Sequence, residues 1–286
     1  MMLSVRKIGV LGAGQMGSGI AQVAAQSGFE VLLSDKQSDL SVQAKKKIAN
    51  QLRKRIEKGT LNPSEEKEIL DRIHAVSSLS DLAPCQMIIE AVSENVELKF
   101  QIFKQLAEMC SPETLLTSNT SSISITTIAA QTRYPEKVAG IHFMNPVPIM
   151  KLVEGIRGLQ TSDETFSIVR QVAEKMGKTF IEAKDQPGFA INRILMPMIN
   201  EAITTLYEGI ASKEDIDTGM KLGTNHPMGP LTLADFIGLD TCLAIMELLH
   251  KGFGDSKYRP SPLLKQYVAA GWLGKKTGRG FYRYDT

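Results

Sequence analysis

A histidine and a glutamate stand at equal distances from a proline-rich turn. His142 follows the apolar run 138–141, Glu154 follows the run 150–153, and Pro148 lies midway between them. If the two runs pair as an antiparallel hairpin about Pro148, the imidazole faces the carboxylate. A carboxylate in this position fixes the tautomer of the histidine and stabilises its protonated form. The spacing therefore predicts that His142 is a general base and that Glu154 orients it.

The alternative for His142 is a core histidine bonded to the backbone. We favour catalysis because the strand end, the acid and a dinucleotide motif elsewhere in the chain agree. The other three histidines are expected to have structural roles. His74 is predicted in a polar connection, His226 in a Pro/Gly turn, and His250 at a helix end, where a positive charge suits the helix dipole.

A glycine-rich segment indicates a phosphate-binding loop. The apolar run 7–11 leads into the Gly-x-Gly-x-x-Gly pattern of Gly12, Gly14 and Gly17, and a helix-forming stretch follows. The first glycine allows the tight turn, the second lets the backbone approach a pyrophosphate, and the third lets the helix pack on the strand. The helix N-terminus then offers N–H groups to the phosphates. Asp35 closes the next apolar run and is expected to accept hydrogen bonds from the adenosine ribose.

Two further polar groups are candidates for binding. The cluster 118–122 (SNTSS) follows an apolar strand, where it can cap a helix, bind ligand, or do both through different members. Ser121 and Asn119 are the candidate donors to a ligand. Asn192, followed by Arg193, falls in an apolar helical segment, and a buried amide there needs a partner. It can bridge domains or bind substrate.

The elements that must position these residues alternate between strand and helix. Strands are predicted near 7–11, 30–34, 87–91, 115–118 and 138–143, with helices starting near residues 14, 39, 64, 96 and 124. Strands separated by helices predict a parallel sheet covered on both faces, with the ligand at the carboxyl ends of the strands. The fold class is therefore α/β, a Rossmann-type dinucleotide-binding domain.

The pattern changes after Lys184. A turn at 185–188 is followed by apolar residues at three- and four-residue steps from 189 to 206, which predicts a long amphipathic helix. A second helix is expected to be capped by Ser212, and others are expected near 231–237, 240–249 and 262–269. We therefore predict a dinucleotide-binding domain over 1–184 and an all-α C-terminal domain over 185–286.

Composition excludes several classes of protein. The net charge of +2 on 286 residues gives no reason to expect nucleic acid or a membrane surface as partner. The three cysteines, Cys85, Cys110 and Cys242, are too few and too widely spaced for a disulfide framework or a metal site. No apolar run approaches the ~20 residues that would span a bilayer, and the first strand leaves no room for a signal peptide before it. The cytoplasm is the expected location.

Several motifs in order resemble one family over nearly the whole chain. They are residues 12–21 (GAGQMGSGIA), 118–122 (SNTSS), 142–148 (HFMNPVP), 185–189 (DQPGF) with Asn192-Arg193, and 276–282 (KTGRGFY). Together they are similar to the L-3-hydroxyacyl-CoA dehydrogenases, in particular the short bacterial 3-hydroxybutyryl-CoA type. The resemblance implies an oxidoreductase that transfers hydride between NAD(H) and the 3-hydroxyl or 3-keto group of a short-chain acyl-CoA.

The resemblance also implies residue roles. His142 takes the hydroxyl proton, Glu154 holds His142, and Ser121 and Asn192 hydrogen-bond the substrate. The expected dinucleotide contacts are Gly12, Ala13, Gly14, Gln15, Met16, Gly17, Asp35, Glu94, Lys99, Ser121, Asn145 and Lys276.

The resemblance implies that a basic segment of the chain binds coenzyme A. Lysines and arginines between residues 45 and 58 surround a thin apolar stripe, which is usually a solvated helix face. The coenzyme A contacts of the family fall on this helix, at positions that match Gln51 and Lys58. Relatives carry a serine where this chain has Gln51, so that contact departs from the pattern.

Alternatives stay open for the cofactor and the reaction. Asp35 repels a 2′-phosphate and favours NAD, whereas the neighbouring Lys36 softens that preference and leaves NADP possible. The rival functions are a dehydrogenase of a free hydroxy acid and a non-catalytic dinucleotide-binding protein. The resemblance further implies a homodimer formed through the helical domain; the alternative is that its apolar stripe packs only within the domain.

Overall fold

The computed structural model describes residues 5–284. The chain forms two compact units, Met1–Asp185 and Gln186–Thr286. The strands of the first unit are β1 (Lys7–Leu11), β2 (Glu30–Ser34), β3 (Ile73–Val76), β4 (Met87–Glu90), β5 (Leu115–Ser118), β6 (Val138–Phe143), β7 (Leu152–Arg157) and β8 (Thr179–Lys184). Its helices are α1 (Gln15–Gln26), α2 (Ser38–Glu57), α3 (Pro63–Asp71), α4 (Val96–Met109), α5 (Ile125–Ala129) and α6 (Asp163–Lys175).

The strands form one sheet in the order β3-β2-β1-β4-β5-β6-β7-β8. All neighbouring strands are parallel except β6 and β7, which are antiparallel. The strand order runs in opposite directions from β1, as in doubly wound nucleotide-binding sheets. The predicted α/β class, with a Rossmann-type sheet followed by a helical unit, is confirmed.

The central strands are buried on both faces because helices cover both sides of the sheet. All residues of β4, β5 and β6 are buried, which explains why these strands are mainly apolar and show no alternation of apolar and polar residues. The core of this unit includes Ile8, Val10, Phe29 and Phe143, together with the apolar stripe Ile48 and Leu52 of α2.

Strands β7 and β8 approach each other closely at one glycine. At Gly155, an added Cβ would lie 1.9 Å from the ring of Phe180 in the neighbouring strand β8, so only glycine fits there. This lets the ring of Phe180 pack across β7 at Gly155. The register of the β6–β7 hairpin places His142 opposite Glu154 and Phe143 opposite Val153.

Two strands and a helix were missed by the sequence analysis. They are β3, β8 and α6. The prediction that His74 lies in a polar connection is wrong, because His74 belongs to β3, where its Nε2 lies 2.9 Å from Oε2 of Glu30. The strand has four residues at the edge of the sheet, and only Ile73 among them is buried.

The second unit is helical. Its helices are α7 (Ile191–Tyr207), α8 (Lys213–Gly223), α9 (Pro230–Ile237), α10 (Leu239–Phe253) and α11 (Pro262–Ala269). The Ser212 hydroxyl accepts from Asp215 N–H, so the predicted cap of α8 is confirmed. Met196, Ile199 and Ile203 of α7 pack with the other helices into one core.

Buried carboxylates tie the C-terminal segment to these helices. Asp235, at 1% exposure, accepts hydrogen bonds from the N–H groups of Phe281 and Tyr282 and from the Tyr284 hydroxyl. Burial raises the pKa of Asp235, and these hydrogen bonds oppose the rise. Gly280 fits against it because a Cβ there would lie 1.9 Å from Oδ1 of Asp235.

Within residues 5–284, no helix combines the length and apolar character needed to cross a bilayer.

Candidate active site

The glycine-rich loop joins β1 to α1. Gly12 has φ +105°, a conformation that favours glycine, and its N–H donates to Ser34 O at 2.8 Å. The N–H of Ala13 donates to Oδ2 of Asp35 at 2.6 Å. At Gly17, an added Cβ would lie 1.7 Å from Gly12 O, so the helix can begin this close to the strand only with glycine.

Gly14 has the opposite environment. A Cβ built there would have no heavy atom within 4 Å, because the residue borders open cavity space. It also precedes the first turn of α1, where no acidic side chain competes for the helix N-terminus. The loop thus offers a bare backbone and a helix N-terminus to a phosphate group, which fits a dinucleotide.

Two cavities meet at this loop. The first, of about 750 Å³, is bounded by the loop and by polar side chains that include Asp35, Lys36, Ser77 and Ser78. The second, of about 550 Å³, lies between α1, the basic helix α2 and the β6–β7 turn. We call them the first cavity and the second cavity.

The second cavity has a cationic wall. It is lined by Lys47, Gln51, Lys54 and Arg55 of α2 and by Lys58, which directly follows the helix. The sequence analysis singled out only Gln51 and Lys58 from this helix as site residues. Helical spacing places the four cations on one side of α2, so the wall suits a ligand with several phosphate charges.

Another wall of the second cavity is the β6–β7 turn. Asn145 lines the cavity with residues 146–149, and its Oδ1 accepts from Nε2 of Gln15 at 2.9 Å. The turn is thereby tied to the glycine loop. Met16, the next residue in α1, instead packs against the hydrophobic core.

A buried ion pair supports the carboxyl ends of β4 and β5. The ammonium of Lys99, at 1% exposure, lies 2.6 Å from Oε1 of Glu90, which is fully buried. Glu90 also accepts from Val92 N–H at 2.7 Å and from the Ser118 hydroxyl at 2.6 Å. Sequence analysis did not identify Glu90. An acid inside an otherwise apolar strand was the available signal, since a buried carboxylate needs partners.

Glu94 organises the polar loop after β5. Its Oε1 accepts from the hydroxyls of Thr120 and Ser122 and from Ser121 N–H, and its Oε2 lies 3.4 Å from the Lys99 ammonium. Desolvation by burial acts to raise the pKa of Glu94, but the Lys99 charge and these hydrogen bonds outweigh it and lower the pKa. The carboxylate therefore holds Ser121 in place.

Other members of the polar cluster have structural contacts. The Oδ1 of Asn119 accepts from Phe143 N–H at 2.9 Å, linking the end of β5 to β6. The cap of α5 is Ser124, whose hydroxyl accepts from Thr127 N–H. The Asp185 carboxylate adds three more bonds at the start of α5, from the Ser124 hydroxyl and the N–H groups of Ile125 and Thr126.

His142 and Glu154 form a buried pair. The imidazole Nδ1 lies 3.1 Å from Oε2 of Glu154, with the histidine side chain 10% exposed and the glutamate side chain fully buried. The pair lies near the carboxyl end of β6, one residue before the end of the strand and beside the turn that lines the second cavity. The strand end thus carries a histidine whose ring is oriented by a carboxylate, an arrangement suited to proton transfer.

Two sequence-predicted site residues belong to the second unit. Asn192 lies in the first turn of α7. Lys276 lies in the C-terminal segment, and its ammonium donates to Oδ2 of Asp240 at 2.7 Å. Among the described residues 5–284, no group of three or more His, Cys, Asp or Glu side chains is placed to hold a metal ion.

Three features together define the class of this α/β protein as a nucleotide-dependent dehydrogenase. They are the doubly wound sheet, the glycine loop with an acid at the end of β2, and the acid-paired histidine. Family models agree. Residues 7–186 match the NAD binding domain of 3-hydroxyacyl-CoA dehydrogenase, and residues 188–284 match its C-terminal domain. The chain belongs to the 3-hydroxyacyl-CoA dehydrogenase family, which confirms the resemblance found in the sequence.

Individual relatives match over nearly their whole length. A probable 3-hydroxybutyryl-CoA dehydrogenase of Bacillus subtilis is 56% identical, with 99% of each chain covered. The 3-hydroxybutyryl-CoA dehydrogenase of Bradyrhizobium diazoefficiens is 53% identical, covering 99% of this chain and 97% of that protein. Among solved structures, (S)-3-hydroxybutyryl-CoA dehydrogenase PaaH1 from Ralstonia eutropha has a TM-score of 0.97 and 49% identity, with 99% of this chain and 100% of that chain covered.

Proposed function

We propose that this chain is an NAD-dependent 3-hydroxybutyryl-CoA dehydrogenase, which interconverts L-3-hydroxybutyryl-CoA and acetoacetyl-CoA. The observation that carries the proposal is the buried contact of His142 Nδ1 with Glu154 Oε2 at 3.1 Å, beside a cavity with a cationic wall. The names of the similar proteins from Bacillus, Bradyrhizobium and Ralstonia support the same substrate.

His142 is the proton acceptor in this proposal. Because Nδ1 faces Glu154, the substrate hydroxyl proton would be taken at Nε2, and the carboxylate would stabilise the imidazolium that results. NAD, when bound, would accept the hydride that leaves the substrate carbon carrying this hydroxyl group. In the reverse direction, the imidazolium returns the proton to the oxygen of the reduced product.

The remaining residues position ligands. Glu94 fixes Ser121, and Ser121 and Asn192 are proposed to hydrogen-bond the substrate. The proposed contacts of NAD are the glycine loop, Asp35, Glu94, Lys99, Asn145 and Lys276. We propose that the phosphate-bearing end of coenzyme A binds in the second cavity. The residues that would hold it there are Lys47, Gln51, Lys54, Arg55 and Lys58.

The substrate class has a direct test. Purified protein is mixed with NADH and either acetoacetyl-CoA or free acetoacetate, and loss of the nicotinamide absorbance is followed. We expect turnover with the thioester and little with the free acid. Preference for free acetoacetate would indicate a hydroxy-acid dehydrogenase, and absence of turnover with both would indicate a non-catalytic binding protein.

We also propose a homodimer formed through the second unit. Five large apolar side chains of this unit are each between 50% and 80% exposed in the single chain: Ile194, Tyr207, Ile210, Leu222 and Phe236. Burial of such side chains against a second copy would remove apolar surface from water. Sedimentation of the purified protein tests this, and a monomer at micromolar concentration would contradict it.

The cytoplasm is the compartment that we propose for the chain. Cys85, Cys110 and Cys242 are free thiols, as suits a reducing compartment. Cell fractionation followed by the acetoacetyl-CoA assay tests the proposal, and activity recovered outside the cytoplasmic fraction would contradict it.

A further inference from the structure

Lys178 is a lysine that the proposed reaction does not use. It lies between α6 and β8 and is 8% exposed. Among residues 5–284, its ammonium forms no ion pair with a carboxylate. A buried cation without an acid partner is costly to keep, so its position calls for a specific role.

The ammonium of Lys178 bonds to the β6–β7 turn. Nζ donates to Val147 O at 2.5 Å and to Met150 O at 2.8 Å. Desolvation by burial lowers the pKa of Lys178. Both acceptors are main-chain carbonyls, so the lysine holds the path of the backbone.

The same turn also packs against α1. Val147 is 2% exposed and packs so closely on Gly19 that an added Cβ at Gly19 would lie 2.9 Å from Cβ of Val147. The N–H groups of Ile149 and Met150 both donate to Pro146 O at 3.0 Å. The turn is therefore compact, and both α1 and the Lys178 ammonium hold it in place.

The β6–β7 turn is one wall of the second cavity. Residues 145–149 line it, and so does the cationic wall formed by α2. We propose that Lys178 is a positioning residue for acyl-CoA binding, which sets the distance between the two walls by holding the carbonyls of Val147 and Met150. The inference rests on the proposed function, because it takes the second cavity to be the coenzyme A site.

The effect should appear in binding rather than in chemistry. The pairing of His142 with Glu154 is fixed by the β6–β7 ladder, which includes Phe143 opposite Val153. Loss of the Lys178 bonds would leave this register in place and release only the turn. KM for the acyl-CoA should rise while kcat changes little.

The test compares Lys178→Met, which keeps the aliphatic stem and loses the donors, with Lys178→Arg, which keeps donors. For Lys178→Met we expect KM for acetoacetyl-CoA to rise about tenfold, the scale of losing one or two buried hydrogen bonds, with kcat changed less than about twofold. Lys178→Arg should recover part of the loss. Lys151→Met is the matched control, because it removes the same charge from an exposed position at the end of the same turn.

Amide hydrogen exchange provides a readout independent of turnover. In Lys178→Met, exchange should accelerate in residues 144–151 and stay unchanged in α2. Unchanged exchange with unchanged KM would overturn the proposal, and so would acceleration across the whole first unit, because that outcome marks a general structural role. If the unmodified protein fails to bind or reduce acetoacetyl-CoA, the proposed function fails, and the exchange result still decides whether Lys178 holds the turn.

Discussion

His142 and Glu154 face each other across the antiparallel strands β6 and β7, with Nδ1 and Oε2 separated by 3.1 Å. The carboxylate has no exposure to solvent, and the imidazole is nearly buried. The two residues lie opposite each other in the β6–β7 ladder. Backbone hydrogen bonds, rather than flexible loops, therefore hold the imidazole and the carboxylate in position. A proton acceptor held in this way keeps its geometry whether or not a ligand is bound.

Replacing His142 should remove the chemistry and leave cofactor binding in place. We expect His142→Ala to lower turnover with acetoacetyl-CoA by about 100- to 10,000-fold, the usual contribution of a general acid or base. Affinity for NADH, measured by fluorescence titration, should hold because the glycine loop is unaltered. His74→Ala is the control, since His74 pairs with Glu30 at the sheet edge. Near-normal turnover in His142→Ala would end the assignment.

Glu154→Gln tests the orienting carboxylate. The amide keeps the size of the side chain but removes the charge that stabilises the imidazolium. The pH profile of kcat/KM should therefore differ from that of the unaltered protein, with a smaller loss of turnover than for His142→Ala. Glu182→Gln, in the neighbouring strand β8 and paired with Arg157, controls for the loss of one charge from the sheet. A profile that matches the unaltered protein would argue against the pair.

Local patterns were enough to predict much of this site. The glycine motif and Asp35 act through neighbouring strands, and the equal spacing of His142 and Glu154 about Pro148 specifies their opposition once the two runs pair. Strand–helix alternation predicted the fold because the buried strands are mainly apolar and are separated by helical patterns. Such features depend on residues close in sequence or on one simple pairing.

The rest depends on contacts that sequence spacing does not report. Charged residues such as Glu90, Lys99 and Lys178 are usually exposed, and only the assembled sheet reveals that their partners come from other elements. Glu90 meets Ser118 across β4 and β5, and Lys178 meets a turn about thirty residues earlier in the chain. The edge strand β3 was missed because it has only four residues and His74 interrupts its apolar run.

The choice between NAD and NADP should depend on Asp35. Its carboxylate borders the first cavity with Lys36 and Lys47, and one oxygen accepts from Ala13 N–H. Asp35→Asn keeps an acceptor for that N–H and removes the charge that repels a 2′-phosphate. The ratio of kcat/KM for NADPH to that for NADH should rise at least about tenfold, equivalent to about 1.4 kcal/mol. Asp39→Asn, on the exposed side of α2, is the control, and an unchanged ratio would remove Asp35 from cofactor selection.

Glu94 should make the stability of the first unit depend on pH. Its pKa is lowered in the folded chain, where the effects of Lys99 and of bonds from Ser122, Thr120 and Ser121 outweigh desolvation. Between the folded and unfolded pKa values, the unfolded chain binds more protons, so stability rises with pH in that window. The contribution is complete above the unfolded value of about 4.3 and is lost as the pH falls through the folded value.

Glu94→Gln removes this titration. At neutral pH we expect the free energy of unfolding to fall by about 1 kcal/mol, a figure kept low because the Glu94 side chain is partly exposed and solvent screens its charge. Denaturant titrations at constant ionic strength should show the difference between the two proteins shrinking as the pH falls below about 4.3. Glu97→Gln, which removes an exposed charge from the first turn of α4, separates this effect from net charge. A difference that stays constant down to the acid transition would mean that the Glu94 carboxylate contributes no charge-dependent support to the Ser121 loop.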